Sequence, residues 1–511
     1  MFWRNRMMSM HLYPVTKTLP DAGAYSVRVN GIPAELDTAR VSAMPFNRRW
    51  PGHQRSMDQS ELASMLSFAA DEPVTVEVTP LLPFDTAVIR PASMGIIPEI
   101  CNGKIVFTVE KPGYFTLEPF GRHNALHIFA DPMPRYDTDP KDENVIYYGP
   151  GEHDAGLITL HSGQTLFIDE GAVVYACVEA IDAENIRILG RGILDNRKNV
   201  EEILFEANEE NNSAAVNNAY RRHTVQLEYC TGITIDGITI RDSLVYNIRP
   251  VGCKDLHIKN VKILGCWRYN SDGIDMHNCE NVRIEDCFLR TFDDSICIKG
   301  FDCYYEGDVE AAVKAAMYRN GKAYDVFRNV LVRNCVIWND WGKCLEIGAE
   351  TRAEEICDVV FENCDIIHLT GPALDCMNVD YADAHDITWR DIRIELDDVI
   401  PQPMLQNTDK DTFRQQDPDF VPPMICAQVV YHPEYSAGGN RRGRNQDLLF
   451  ENIAVFGRQK MIFSFCGYSD EASTSDIVIR GFTVNGAPLS RDGYTIEADE
   501  YCRNIQVILH D

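Results

Sequence analysis

Aspartates crowd into two short clusters within residues 268–300, and the side chains concerned are Asp272, Asp275, Asp293 and Asp294. Carboxyl groups this close cannot all ionise without cost, so the pKa of at least one of them should rise. A protonated carboxyl group beside ionised ones can protonate a leaving oxygen while a partner activates water, which is the chemistry of glycoside hydrolysis. The same oxygens could also be solvated turn residues or bind calcium, but the neighbouring Lys299 and Arg249 oppose a cation site.

The composition limits the partners and the compartment. The chain has 511 residues and a formal net charge of −29, which argues against nucleic acid or an anionic membrane as the main partner. The N-terminus lacks the apolar stretch of a signal peptide, and no window approaches the roughly 20 apolar residues of a membrane span. The 17 cysteines include no Cys-x-x-Cys pair, and His277, His368 and His385 show no ligand spacing. We therefore expect a cytoplasmic protein with neither a metal site nor an obligatory cofactor.

A repeat of alternating apolar residues runs from about residue 184 to the C-terminus. Its copies are spaced by about 23–29 residues, or by roughly twice that where a unit is doubled or interrupted, and begin at Asn185, Gly232, Asp255, Asn281, Asn329, Asp358, Asp386, Asp447, Asp476 and, in part, Asn504. Short strands broken at polar or glycine corners, in units this small, predict a right-handed parallel β-helix whose coils stack about 4.8 Å apart.

The first 155 residues lack this repeat and alternate in short runs separated by proline and glycine, which predicts a small antiparallel β-sandwich. We assign residues 1–155 to the sandwich and residues 156–511 to the β-helix, with insertions at about 301–327 and 398–445. The first insertion contains a one-sided helix that Asp308 should cap and Gly321 should end. Irregular insertions on a regular scaffold are typical of lids and binding loops, although simple edge decoration is the alternative.

Aligning the coils by their apolar pairs gives the positions of the polar side chains. The inward pairs are Ile274/Met276, Ile296/Ile298, Leu345/Ile347 and Leu374/Cys376, with Ile248 one coil earlier. The residues between them form an outward column, the expected floor of an open groove: Arg249, Asp275, Cys297, Glu346 and Asp375. His277 and Lys299 share the next outward column. The same alignment places Asp272 beside Asp294 at one coil spacing (~5 Å), with Asp293 offset towards the groove.

Several of these residues have ordinary alternatives. Asp275 could simply pair with Arg249 and hold the floor of the groove. Trp267 and Trp341 could stack on sugar rings or could be buried packing. Glu346 and Asp375 could bind sugar hydroxyls or form a solvated face.

Three motifs resemble glycoside hydrolase family 28, the polygalacturonase-like β-helix enzymes, over about residues 220–380. They are YNIRP at 246–250, NSDGID at 270–275 and DDSICIKG at 293–300. The resemblance implies that Asp293 is the general acid and that Asp272 and Asp294 hold the attacking water for inversion. A β-sandwich preceding a β-helix also resembles glycoside hydrolase family 49, the dextranase-like enzymes, which act on neutral glucans.

The sequence departs from the family 28 pattern at places that concern the substrate. Phe292 stands where the family has glycine before the aspartate pair, and Lys343 stands where it has histidine between two glycines. The family's Arg-Ile-Lys segment, which grips the galacturonate carboxylate, corresponds roughly to residues 374–376 and contains Asp375 instead. An anionic uronate is therefore not expected in that subsite.

We interpret the chain as a glycoside hydrolase that cleaves α-linked bonds of an oligo- or polysaccharide by inversion. The candidate catalytic residues are Asp272, Asp293 and Asp294, and the candidate substrate-binding residues are Arg249, Asp275, His277, Lys299, Trp341, Lys343, Glu346 and Asp375. The alternatives are a polysaccharide lyase and a non-catalytic carbohydrate-binding β-helix.

Overall fold

The computed structural model describes residues 10–43, 57–198, 223–303, 307–396, 404–405, 414–415, 423–433, 435–437, 441–457 and 460–509. These residues form an N-terminal β-sandwich followed by a right-handed parallel β-helix, as the sequence predicts. Within these ranges, no helix has the length and apolar character that crossing a membrane would require.

The sandwich consists of two sheets that share an apolar core. One sheet contains Met10–Leu12, Asp37–Ser42, Ser60–Ala70, Val88–Arg90, Gly113–Arg122 and Leu126–Asp131. The other contains Tyr25–Val29, Ile32–Ala34, Val74–Pro80, Glu99–Cys101 and Lys104–Val109. Alternate residues of both sheets, among them Val27, Val76, Phe68 and Phe115, are buried between them. The pairing is antiparallel except where Leu126–Asp131 runs parallel to Ser60–Ala70.

The β-helix consists of two long sheets whose pairing is parallel, except that Ala487–Pro488 pairs antiparallel with Thr483–Val484. One contains Val145–Tyr148, Thr165–Ile168, Glu184–Gly190, Thr231–Asp236, Lys254–Lys259, Glu280–Glu285, Val326–Arg333, Glu355–Glu362, Asp383–Arg390, Arg444–Asn445, Leu448–Glu451, Thr474–Arg480 and Cys502–Ile508. The other contains Gly151–Thr159, Ala172–Ile181, Ile193–Asp195, Val225–Glu228, Thr239–Arg241, Ile248–Val251, Lys262–Leu264, Ile274–His277, Phe288–Thr291, Ile296–Lys299, Val336–Asn339, Leu345–Ala349, Asp365–His368, Leu374–Asn378, Arg393–Glu395, Ile425–Val429, Ala454–Phe456, Met461–Cys466, Thr483–Val484, Ala487–Pro488 and Tyr494–Ala498. The parallel sheets thus begin at Val145, before the boundary expected after residue 155.

The first residue of each repeat has a backbone role. Asn185, Gly232, Asp255 and Asn281 all have φ between 55° and 72°, and the later repeats continue this conformation. Residues pair across the coils on either side of these positions, as Glu184 with Thr231 and Ile186 with Ile233. Asparagine, aspartate and glycine adopt left-handed backbone conformations more readily than other residues, so the repeat selects these residue types at that position.

The insertions differ in how closely they follow the predictions. Val309–Met317 is helical, and the Asp308 carboxylate accepts a hydrogen bond from the Ala311 backbone N–H as its cap. The helix ends at Met317 instead of Gly321, because a 3₁₀ turn at Arg319–Gly321 follows it. Other 3₁₀ turns lie at Met57–Gln59, Ala92–Met94 and Arg491–Gly493. Much of the second insertion lies outside the described residues, which include a short hairpin of Met404–Leu405 and Arg414–Gln415.

The sandwich docks onto the outer face of the β-helix. Met65, Tyr114 and Phe129 of the sandwich form one buried cluster with side chains of the helix that include Phe288 and Trp338. Between the two domains, the buried Lys262 ammonium lies 3.1 Å from the Asp131 carboxylate. The opposite, inward-facing residues of the same strands fill the core of the β-helix. This leaves the strands that carry the aspartate clusters on another side of the coil.

Candidate active site

Three carboxyl groups meet at the start of two adjacent strands. Ile274–His277 pairs in parallel with Ile296–Lys299, and Asp272 and Asp293–Asp294 lie just before them. One oxygen atom from each of Asp272, Asp293 and Asp294 lies within 4.8 Å of those of the other two. We call these three residues the acid cluster. The structure thus brings together the residues that the sequence analysis placed one coil apart.

Glycine at two positions lets the backbones approach closely enough to form this cluster. A Cβ on Gly273 would lie 2.3 Å from the Ser295 carbonyl oxygen. A Cβ on Gly342, one coil further along, would lie 2.4 Å from the Asp294 backbone nitrogen. Side chains at either position would push the coils apart, so both glycines are needed for the spacing of the carboxyl groups.

Lys299 is the cation of the acid cluster. Its ammonium lies 2.8 Å from the Asp275 carboxylate, 3.8 Å from that of Asp272 and 3.9 Å from that of Asp294. Glu350 is also within 3.5 Å. Burial alone would lower the pKa of Lys299, but the charges of Asp275 and Glu350 outweigh it and raise this pKa well above its ordinary value. The lysine is therefore a permanent positive charge and not a base.

The electrostatics of the cluster favour a retained proton. Burial, followed by the nearby charges of Asp275 and Asp293, raises the pKa of Asp272 well above its usual range. Burial and then the charge of Asp294 do the same to the pKa of Asp293. Backbone N–H groups of Asn270 and Asp294 donate hydrogen bonds to the Asp293 carboxyl group at 3.1 Å and 3.0 Å. Because Asp272 and Asp293 interact, the proton belongs to this pair and not to either residue alone.

Asp294 is held by the next coil. The Lys343 backbone N–H donates a hydrogen bond of 2.9 Å to Asp294 Oδ1, and the Asp294 side chain remains 17% exposed. Asp272 is buried, with its side chain 3% exposed. The open side of the cluster is therefore formed by Asp293 and Asp294, and a substrate would approach from there.

The outward column stacks in the predicted register but differs from an open floor. Asp275, Cys297, Glu346 and Asp375 pair in turn across adjacent strands, and all four are buried. Arg249, which is half-buried, continues the column. The prediction of an open groove floor is wrong in this respect, because the charged side chains of the column lie against one another and exclude solvent.

The ion pairs of this column also differ from the expectation. Asp275 pairs with Lys299 and not with Arg249, whose guanidinium instead lies 2.6 Å from Asp302. Lys299 and Lys343 lie against these acids, but the acids outnumber them. Glu350 and Asp302, which contact these cations, were missed because they follow strand ends, where strand alternation no longer predicts the direction of a side chain.

Lys343 joins two acids of adjacent coils. Its ammonium pairs with the Glu346 carboxylate and lies 2.6 Å from Asp375. Burial opposes the charge on Lys343, but Asp375 and Glu346 raise its pKa well above the ordinary value. Burial raises the pKa of both acids, most strongly that of Glu346. We call these three residues the Lys343 group.

His277 presents a hydrogen-bond acceptor next to Lys299, its partner across the two strands. Its Nδ1–H donates to the Gly300 carbonyl oxygen at 2.9 Å. Burial and then the charge of Arg249 lower the pKa of His277 to about 3, so the ring is neutral. Its Nε2 atom is buried and accepts no hydrogen bond from the described residues.

The two tryptophans have different surroundings. Trp267 is buried, and its Nε1–H donates to Asp242 at 3.2 Å, so it is packing and not a sugar platform. Trp341 is half-buried and lies parallel to Phe292 with 5.6 Å between the ring centroids. Phe292, at the position where the resembling family has glycine, therefore supports Trp341 next to the acid cluster.

A second group of possible metal ligands lies away from this site. Glu355, Cys357 and His385 each offer an atom within 4.8 Å of the others. Their closeness results from coil stacking, so linear spacing did not reveal it. Both ring nitrogens of His385 already pair with carboxylates, those of Glu355 and Asp386. Ion pairing explains this group.

Comparisons with known proteins support the resemblance. Residues 156–368 match the family model of Glycosyl hydrolases family 28. A probable polygalacturonase from Vitis vinifera is 36% identical over 86 residues, which are 16% of this chain and 18% of the relative. A polygalacturonase from Gossypium barbadense is 24% identical over 212 residues, which are 39% of this chain and 49% of the relative. The chain thus spans half or less of the length of these curated relatives.

One solved structure matches almost the whole chain. Dex49A from Penicillium minioluteum is 14% identical with a TM-score of 0.61, over 99% of this chain and 98% of that one. At this identity the likeness shows the fold alone. Together with the family match, it confirms the predicted resemblance to family 28 and to the domain layout of family 49.

Proposed function

We propose that this chain is a glycoside hydrolase that cleaves an α-linked bond of an oligo- or polysaccharide by inversion. The observation that carries hydrolysis is the acid cluster, in which one oxygen of each of the three carboxyl groups lies within 4.8 Å of the other two. The assignment of inversion rests on the resemblance to family 28. The family 28 match covers all three residues.

Asp293 protonates the leaving oxygen. Burial raises its pKa, which favours a retained proton, and it lies on the open side of the cluster. Asp272 and Asp294 hold and deprotonate the attacking water. The Lys299 ammonium lies 3.8 Å from the Asp272 carboxyl group and 3.9 Å from that of Asp294, close enough to offset negative charge on this pair.

Retention is the second candidate stereochemistry, and the spacing of the carboxyl groups favours it. Inverting glycosidases usually separate the two carboxyl groups by about 6.5–9.5 Å, whereas retaining ones separate them by about 5–5.5 Å. The separation of at most 4.8 Å between cluster oxygens lies nearer the second range. In that case Asp294 would attack the anomeric carbon directly.

A polysaccharide lyase fits the site less well. A lyase removes a proton beside a uronate carboxylate and needs an unprotonated base. Lys299 and Lys343 are both held in their charged forms by neighbouring carboxylates. We also propose a cytoplasmic location, because all the cysteines are free thiols, most of them buried.

Proton NMR of the anomer released from defined oligosaccharides tests the function and its stereochemistry together. Asp293→Asn should lower kcat by about 10²–10⁴-fold. The matched control is Asp365→Asn, which removes a carboxylate paired with Arg393 on another strand and should keep its activity. Full activity of Asp293→Asn on the true substrate would disprove the acid assignment. Initial release of the retained anomer would replace inversion by the double-displacement route.

Binding of oligosaccharide without turnover by the wild-type protein would instead support a non-catalytic carbohydrate-binding β-helix. An ultraviolet-absorbing unsaturated product, abolished by a chelator, would identify a lyase. Each outcome leaves one of the three functions standing.

A further inference from the structure

The charges next to the acid cluster bear on the chemical class of sugar that the site accepts. A uronate carries a carboxylate, and enzymes that bind it need a cation free to pair with it. Among the residues that the structure describes, the cations in contact with the candidate site are Arg249, Lys299 and Lys343. Each of them is already paired with at least one carboxylate of the chain.

The pairing around Lys343 is the most direct evidence. Lys343 has 21% of its side chain exposed, more than Arg249 or Lys299, and its backbone N–H donates a hydrogen bond to Asp294 in the adjacent coil. Two carboxylates, those of Glu346 and Asp375, hold it. The Lys343 group therefore contains more acids than bases and offers no net positive charge.

The same imbalance holds around Lys299. Its ammonium is buried, with 4% of the side chain exposed, and four carboxylates lie within 3.9 Å of it. A uronate carboxylate placed here would add a like charge beside Asp272 and Asp293, whose pKa values are already raised by burial and then by the neighbouring carboxylates. Arg249 is likewise paired, with Asp302 at 2.6 Å.

We propose that the sugar bound next to the acid cluster is uncharged, so that the substrate is a neutral α-glycoside and not a uronate. This inference rests on the proposed function for its catalytic readout. The polygalacturonases that the chain matches in part are named for a uronate polymer, so a neutral substrate would distinguish the chain from them.

The test uses pairs of substrates that differ only in the group at C6 of the sugar, which is a carboxylate in one member and uncharged in the other. The panel pairs α-linked oligogalacturonides with their methyl esters, and aryl α-D-glucosides and α-D-galactosides with the corresponding uronides. We expect the neutral member of a cleaved pair to have a kcat/KM higher by at least about 100-fold. Asp293-dependent cleavage of the uronate at an equal or higher rate would overturn the inference and leave the proposed function intact.

Variants test whether the Lys343 group sets this preference. Asp375→Asn and Glu346→Gln each release Lys343 from one acid and should shift the ratio of kcat/KM values towards the uronate by about tenfold. Asp470→Asn is the matched control, because it makes the same change in net charge at an exposed ion pair with Arg503. It should leave the ratio unchanged. An unchanged ratio in folded Asp375→Asn and Glu346→Gln would refute the role of the group.

A binding measurement keeps the inference testable without turnover. The Asp293→Asn protein is applied to immobilised neutral and acidic α-glycans at low and high salt. Selective capture of neutral glycans supports the inference even if catalysis is absent. Selective capture of acidic glycans, or capture of neither class, overturns it.

Discussion

Gly342 is the position at which one methyl group should disturb the acid cluster most directly. A Cβ there would lie 2.4 Å from the Asp294 nitrogen, 2.5 Å from the Asp293 carbonyl carbon and 2.5 Å from Asp294 Oδ1. Ordinary Cβ contacts begin at 3.4 Å, so in Gly342→Ala the backbone of one coil must move by about 1 Å. A misplacement of that size costs on the order of 100-fold in rate when it affects reacting groups.

The assay compares kcat/KM on the cleaved oligosaccharide with the free energy of unfolding from urea denaturation. Overpacking should destabilise Gly342→Ala by about 1–3 kcal/mol, which leaves a protein of ordinary stability folded. The matched control is Gly149→Ala, whose added Cβ would meet the side chain of Tyr147 at 3.3 Å. That tyrosine is exposed and can rotate away, so activity should be unchanged.

The outcome distinguishes positioning from general destabilisation. A folded Gly342→Ala protein that retains more than about a third of the wild-type kcat/KM would refute the requirement for this contact. A loss of activity that matches the fraction of unfolded protein would also refute it, since the predicted loss occurs in folded enzyme whose aspartates are displaced.

Two further predictions concern the buried charge and the thiols. Lys299→Met should lower the free energy of unfolding by about 3–5 kcal/mol at about pH 8, whereas Lys17→Met, at an exposed pair, should cost less than about 1 kcal/mol. The raised pKa values of Asp272 and Asp275 mean that the folded state binds more protons than the unfolded state, so the contribution of these acids to stability falls as pH rises. The midpoint of urea denaturation should therefore fall less for Lys299→Met at about pH 5 than at about pH 8. Equal losses at the two pH values would contradict this. Cys101 is exposed, whereas the other thiols are buried or half-buried. Titration of the native protein with Ellman's reagent should therefore show one thiol that reacts fast, and Cys101→Ser should remove it. A fast-reacting thiol that persists in this variant would contradict the assignment.

The sequence predicts the fold well because one repeat carries two kinds of information. The alternating apolar residues determine which side chains fill the core, and Ile274, Ile296 and Leu345 stack there as the alignment requires. The polar residue at the start of each repeat adopts a left-handed backbone conformation, as Asn329 does with φ of 58°. Stacked amides reinforce this, since the Asn329 side chain donates to that of Asn281 at 2.7 Å.

The pairing of charges could not be read from the sequence in the same way. Alternation places Asp275 and Lys299 in neighbouring columns but does not determine which charges meet, because long side chains reach across columns. Lys299 reaches Asp275, leaving Arg249 for Asp302. The burial of the outward column follows from these contacts and has no signature in local periodicity.

Aspartates occur throughout the coils, so residue type alone cannot identify a working acid, but the backbone can. Asp255, Asp358 and Asp386 are exposed and have φ of 53–55°, so the left-handed conformation explains why aspartate stands there. Asp272 and Asp294 do not have positive φ, and their side chains lie among other carboxylates at a cost in free energy. Neither backbone geometry nor stability accounts for aspartate at these positions. The proposed hydrolysis would account for them, because it needs several carboxyl groups close together at one point of the coil.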